Sequence, residues 1–584
     1  MLTPAEKSIL EEVSFELPAL LLDRFKDLVR QSGGEGERTA SNYVAEKLKE
    51  YGISYEILWP EIYLSTPRKA ELKIIGENID INAKTPSFSI STNDKWVDGE
   101  LILATSYQQP YAWGELEYKL KFEGDPKGKI VICESVPSPD KVNDIVNNGG
   151  VAGIFVQAGE HIHEGICTTV WGNPELDDLK NMVKIPVVTI NNPDGKGIIQ
   201  MIREKKVRAA VRTSLEEGWK ACPLVLAKIP GCRELDKFVL LHGHIDSWYT
   251  GIGDNALGDA TLLEIARVLF ENRDKLRRSV WVAWWPGHST GRFAGSTWFA
   301  DHYALDVYEN CVAQVNCEST GCMNANTYEE IMWTEDVDGF CRELIEEVTG
   351  IKPTWTRPTR AGDYSFNNIG VTSFFMLSSN IGKKRMNELG YYQVYGCGGN
   401  IEWHTVADDM RLVDEEVFLR DTKLYLAGVL KMANAEILPI NSRNMLSFME
   451  KYLREYEMAA GGSFDLMPLF EEIQTLKSLL DEFYLMAERC LGNYQKQAYI
   501  NDAILKIARK LIRINYTSKQ EFKHDSAAMV PPIPDIAPVL RVNQLKPNEQ
   551  KHLLTQLIRG RNRVQHTMRE CGEIISSTIL IVNN

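Results

Sequence analysis

FVLLHGH (residues 238–244), ATLLEIARVLFENRDKL (260–276) and SVWVAWW (279–285) decide the fold between them. The first and third are short apolar runs, the pattern of strands buried on both faces. The middle one sets Leu262, Ile265, Ala266 and Leu269 at helical spacing, an amphipathic helix between the strands. ENCVAQVNCE (309–318) repeats the strand texture. This alternation predicts an α/β fold whose sheet carries helices on both faces. In such sheets chemistry collects at the C-terminal ends of the strands.

Four candidate cation ligands fall at those ends. LLHGHIDSW (240–248) closes its strand with His244 and, two residues on, Asp246. Residues two apart on a strand share a face, so Asp246 is placed to orient a ligand or polarise a solvent. GIGDNALG (251–258) puts Asp254 at the entry of the helix, where one carboxylate can bridge two cations about 3.5–4 Å apart. Glu318 ends the next strand, and GGNIEWHTVADD (398–409) holds His404 in a glycine-rich loop. Each residue alone reads as an ordinary core or loop residue. Two imidazoles and two carboxylates together, in order and at strand ends, predict a site for zinc or a similar divalent ion.

Outward from this core the texture changes twice. Between residues 95 and 218, short apolar runs (ELILA, GKIVICES, GIFVQ, IPVVTI) alternate with Gly, Pro and Asn, the mark of an inserted α+β module. Residues 441–584 are helix-rich. The expected domains are therefore 1–94 with 219–440 for the sheet domain, 95–218 for the insertion and 441–584 for a helical domain. A net charge of −15 from 65 basic and 80 acidic residues argues against nucleic acid or an anionic membrane as partner. No apolar run nears the ~20 residues of a membrane span. The N-terminal stretch is acidic where a secretory signal is basic. The 11 cysteines contain no CxxC pair and read as buried thiols. A cytoplasmic location is expected.

The string HGHIDSW…GIGDNALG…AGSTWFAD…VNCES…WHT resembles the co-catalytic zinc aminopeptidases and carboxypeptidases, most of all their glutamate carboxypeptidase II and transferrin-receptor branch. GERTASNYVAEKLKEYG (36–52) resembles that family's N-terminal helix, the 95–218 module its protease-associated domain, and the tail its helical dimerisation domain. The resemblance implies a phosphorylase/hydrolase-like mixed sheet sandwiched by helices. It implies a homodimer joined through the C-terminal helical domain, and a small peptide or amide substrate cleaved by metal-activated water. It also implies two divalent ions, expected to be zinc, with iron, manganese, cobalt and nickel as alternatives. His244, Asp254 and Glu318 would hold the first, and Asp254, His404 and one further residue the second. The family usually has Asp where Glu318 stands.

The pattern departs at one place. The family carries two adjacent glutamates after a strand, the first a general base and the second a ligand of the second metal. Here SVWVAWW runs into PGHSTGRFAGSTWFAD (286–301), with no glutamate. Aligned on position, Gly287 occupies the base slot and His288 the ligand slot, so His288 is expected on the second metal. Alternatively His288 is a loop residue and that ion is lost. A substitute base is sought in Glu402 or in His288 itself, with Asp246 beside them. The departure also admits a catalytically altered or inactive homologue acting as a binding or scaffold protein, or a specialised loop for an unusual amide or C–N bond.

Other residues carry weaker signals. Arg357, Arg360 and Asp363 in TRPTRAGDYSFNNIG, and Arg292 beside His288, offer a clamp for a substrate carboxylate or ordinary ion pairs. His161 and His163 in GEHIHEG (159–165) read as a lid or surface element. Trp248, Trp284, Trp285 and Trp403 flank the motifs, the middle two as core.

Overall fold

The computed structural model describes residues 2–108, 118–358, 365–375, 378–527 and 530–584. Its centre is a five-stranded mixed sheet in the order Tyr55–Leu58, Leu224–Ile229, Arg278–Trp285, Glu234–His244, Cys311–Asn316. The last three run parallel, and the first two are antiparallel additions at one edge. The parallel trio explains the site, because His244, Trp285 and Asn316 all end on the same edge of the sheet.

Side-chain alternation explains the sandwich. Val239, Leu241, Val280, Val282 and Trp284 enter one core, with the helices Glu16–Phe25, Glu35–Glu50, Leu257–Glu271 and Glu415–Asn434. Phe238, Leu240, Ala283 and Trp285 enter another, with Phe299 and Ala300 of helix Ala294–His302. Every second residue faces the opposite layer, so both faces need apolar cover and the strands read as unbroken apolar runs. Trp284 and Trp285 are core, as their position at the end of a buried strand predicts. Asp414 caps the Glu415–Asn434 helix, its carboxylate accepting from the amides of Glu416 and Val417.

A second sheet follows the order Glu61–Ile74, Arg208–Ala221, Val97–Gln108, Ile130–Glu134, Ala152–Val156, Val187–Ile190, Ala83–Lys84. It corrects the expected boundary at residue 95. Glu61–Ile74 pairs antiparallel along its length with Arg208–Ala221, so residues 61–94 travel with this sheet rather than with the first. Sequence texture could not show this, because the pairing joins segments more than a hundred residues apart. The C-terminal part is a set of helices, Ser442–Ala460, Met467–Arg489, Tyr494–Tyr516 and Pro547–Asn583, the last 37 residues long. Among the described residues no helix is long and apolar enough to cross a membrane. All cysteines are free thiols, and all but Cys232 are buried.

Candidate metal centre

His244 is the last residue of its strand, and its ring is buried. Its Nδ1 lies 2.9 Å from the Asp246 carbonyl. A carbonyl only accepts, so Nδ1 donates and Nε2 is presented to the site. There it meets Oδ1 of Asp254 at 2.9 Å. The other oxygen, Oδ2, lies 3.0 Å from Nε2 of His404. One carboxylate thus stands between two imidazoles, one per oxygen. Burial works against charge on Asp254, yet hydrogen bonds from His244 and His404 hold its carboxyl well below the usual range. Burial likewise pulls the His244 pKa down, but Asp254, Glu318 and Asp246 together raise it to about 10. The centre therefore stabilises positive charge strongly.

The rewritten loop supplies a third imidazole. His288 stacks on His244, ring centroids 3.8 Å apart at 8°. Ligand atoms of His244, His288 and Glu318 all lie within 4.8 Å of one another. His288 therefore stands beside His244 and Glu318 in the centre. Burial first, and the charge of His244 next, keep His288 neutral by pushing its pKa well down. Glu318 is anchored through Oε2 by the Asn316 side-chain amide at 3.0 Å.

Asp246 is buried beside His244. Its oxygens accept from the amides of His288 (3.0 Å) and Ser289 (2.8 Å) and from the Ser32 hydroxyl (2.7 Å). It clasps the 286–293 loop, and it orients His244 through its backbone carbonyl. Glu402 is half-buried, two residues before His404. Its charge acts on Tyr391, Tyr392 and Arg411.

Three supports escaped the sequence reading. Asn255, fully buried, donates to the carbonyls of His244 (3.3 Å) and Cys317 (3.1 Å) and accepts from the Ser319 amide (3.1 Å). It ties together the chain ends that carry His244, Asp254 and Glu318. Asp408 accepts from the amides of Gly253 (2.5 Å) and Asp254 (3.1 Å). The buried Arg30 guanidinium donates to the carbonyls of Ile245, Thr250 and Gly251, fixing the loop after His244. A buried Asn next to a ligand was the one available signal. Arg30 had none, since it lies over two hundred residues away in sequence.

His404 sits in a left-handed backbone conformation (φ 56°). Its Nδ1 donates to the Glu164 carbonyl and its own carbonyl accepts the Glu164 amide, each at 3.0 Å. The GEHIHEG stretch thus docks on the loop that carries His404. Trp403 stacks on His404 at 3.7 Å, and Trp248 meets it edge-on at 6.1 Å. Arg292 lies over Trp171 and Phe293. Arg357 is structural: it is buried against Tyr516 at 3.6 Å, pairs with Glu335 and donates to the Asn515 carbonyl. Arg360 and Asp363 lie outside the described residues.

The donor set fits a divalent cation. Imidazole nitrogens and carboxylate oxygens from several strand ends converge in a buried place, where charge is tolerated only when paired.

Residues 225–428 match Peptidase family M28. The chain is 24% identical over 341 residues to aminopeptidase NAALADL1 of Mus musculus, covering 53% of this chain and 45% of that one. It is 23% identical over 318 residues to the probable glutamate carboxypeptidase LAMP1 of Arabidopsis thaliana, covering 51% and 45%. It thus spans less than half the length of these curated relatives. Among solved structures, an aminopeptidase from Aneurinibacillus sp. strain AM-1 superposes with a TM-score of 0.53 at 17% identity, over 73% of this chain and 96% of that one. BSAP, a zinc aminopeptidase from Bacillus subtilis, gives 0.52 at 18%, over 72% and 95%. These two likenesses show the fold. The sequence matches make residues 225–428 similar to peptidase family M28 and to relatives named as an aminopeptidase and a probable glutamate carboxypeptidase.

Proposed function

We propose that the chain is a metal-dependent hydrolase of the exopeptidase type, acting on a peptide or amide bond of a small substrate. The observation that carries this reading is Asp254, whose two oxygens each meet one imidazole, His244 and His404. That is the arrangement a bridging carboxylate needs. His244, His288 and Glu318 would hold one ion and His404 the other, with Asp254 shared. Zinc or a similar ion, when bound, would supply Lewis acidity toward a water and a substrate carbonyl. The chain's own contribution is orientation. Asp246 holds the loop, and Asn255 holds the strand ends. His288 is the one imidazole among residues 286–293, a loop that carries no carboxylate.

The test is metal content together with hydrolysis of a panel of aminoacyl, dipeptide and simple amide substrates. Two ions per chain, and activity lost to chelator and regained with zinc, are expected. Folded protein that takes up no zinc would sink the reading. The loop without a carboxylate favours one alternative, a binding protein on the same fold; saturable peptide binding by zinc-loaded protein with no turnover selects it.

The helical part is proposed to form a homodimer, since Leu485, Leu491, Leu580 and Ile581 are exposed on neighbouring helix ends. Free, mostly buried thiols suit a cytoplasmic setting.

A further inference from the structure

The second unit reaches the metal loop through one buried histidine outside the ligand set. His163 is 5% exposed. Its Nδ1 lies 2.5 Å from the Trp403 carbonyl and its Nε2 2.7 Å from the Tyr392 hydroxyl. The carbonyl can only accept, so Nδ1 carries the hydrogen. Nε2 is then the acceptor, and Tyr392 donates to it. Both ring nitrogens are spent on residues of the 392–404 segment.

The backbone of His163 is fixed from the other side. Gln157 donates to its carbonyl at 3.0 Å and accepts its amide at 2.6 Å. Tyr392 fits because residue 159 is glycine: a Cβ there would come within 2.2 Å of the Tyr392 hydroxyl oxygen. The next residue, Glu164, makes the reciprocal pair with His404. Its carboxylate accepts from Tyr249 at 2.5 Å and pairs with Lys84 at 3.1 Å. His404 is thus gripped at its own ring and carbonyl by Glu164, and one residue earlier, at the Trp403 carbonyl, by His163.

We infer that His163 is a positioning residue for His404, through which the second unit sets the geometry of the metal centre. The inference rests on reading His404 as a metal ligand. A histidine ligand whose other nitrogen is hydrogen-bonded is held in one tautomer and orientation, and loss of such outer contacts typically costs about 10–100-fold in metal affinity. His163 acts one step further out, by holding the loop in which that contact forms.

Three variants test it: His163→Leu removes both bonds, Tyr392→Phe removes one, and His163→Gln keeps a donor and an acceptor. Zinc affinity is read by chelator competition and geometry by the visible spectrum of the cobalt-loaded protein. Exchange of the Glu164 amide is read in metal-free protein. His163→Leu should weaken the more labile ion by about 10-fold or more and alter the cobalt spectrum. Tyr392→Phe should act in the same direction and less, and His163→Gln should recover part of the loss. Glu164 amide exchange should quicken in the first two. Folded variants with the parent's zinc affinity, cobalt spectrum and amide exchange would overturn the inference. If His163→Leu does not fold, Tyr392→Phe decides alone. A parent that binds no zinc sinks the proposed function instead, and the exchange measurement still reads whether His163 holds Glu164 against His404.

Discussion

The imidazoles of His244 and His288 lie face to face, 3.8 Å apart at 8°, across the edge where two parallel strands end. His244 comes from one strand, and His288 from the loop after its neighbour. Stacked rings at this distance cannot both carry charge at low cost, and His288 is the one kept neutral. A neutral imidazole beside Glu318 has a lone pair free for a cation, the chemistry proposed for the loop.

His288→Ala should therefore hurt metal binding more than folding. The ring is the third member of the only ligand cluster found among the described residues. Zinc affinity should fall at least ~10-fold by competition titration, given that even outer-shell losses reach that size. The thermal midpoint of metal-free protein should stay close to the parent's. Undiminished affinity would make His288 a loop residue.

Gly287→Glu should fail to reinstate a general base. Gly287 has φ 69°, and a Cβ there would approach Ile62 Cδ1 to 2.4 Å. The left-handed backbone disfavours any residue but glycine, and the Ile62 methyl would have to shift to admit a Cβ. The variant should be destabilised by roughly 1–3 kcal/mol in urea unfolding, with no gain in turnover. A gain in turnover at unchanged stability would contradict this.

The candidate ligands could be picked out in the sequence because each sits where a periodic pattern stops. His244, Asp254, Glu318 and His404 all follow a readable strand or glycine-rich turn. The supports were not legible, because their partners are set by tertiary approach. Arg30 meets Ile245, Glu164 meets His404, and Glu61–Ile74 meets Arg208–Ala221, each across more than a hundred residues. His288 was legible as a substitution in a known slot. Its stacking on His244 depends on how the loop turns, with Gly287, Arg292 and Phe293 all at positive φ.

Asn255→Ala should be costly although the residue touches no ion. Its side chain satisfies two buried carbonyls and one buried amide at three different chain ends. Leaving such groups unpaired costs about 1–3 kcal/mol. A loss of roughly 3 kcal/mol in urea unfolding is expected, with weaker zinc binding alongside. A loss under ~0.5 kcal/mol would mean that water replaces the side chain without penalty.

Glu335 gives a pH dependence far from the metal centre. It is buried where the sheet domain meets the C-terminal helices, with Arg357 on one side, the Tyr516 hydroxyl at 2.9 Å on the other and Asp336 next to it. Burial raises its pKa to about 7, against the opposing pull of Arg357. An unfolded glutamate titrates near 4.3. Between these values the folded chain holds a proton that the unfolded chain releases. Stability from this group is therefore full below the unfolded pKa, falls as pH rises toward 7, and levels off above it. The slope cannot exceed about 1.4 kcal/mol per pH unit for one proton. Glu335→Gln should flatten the fall in urea-unfolding stability between pH 5 and 7. A variant with the parent's slope would assign that fall to other buried carboxyls.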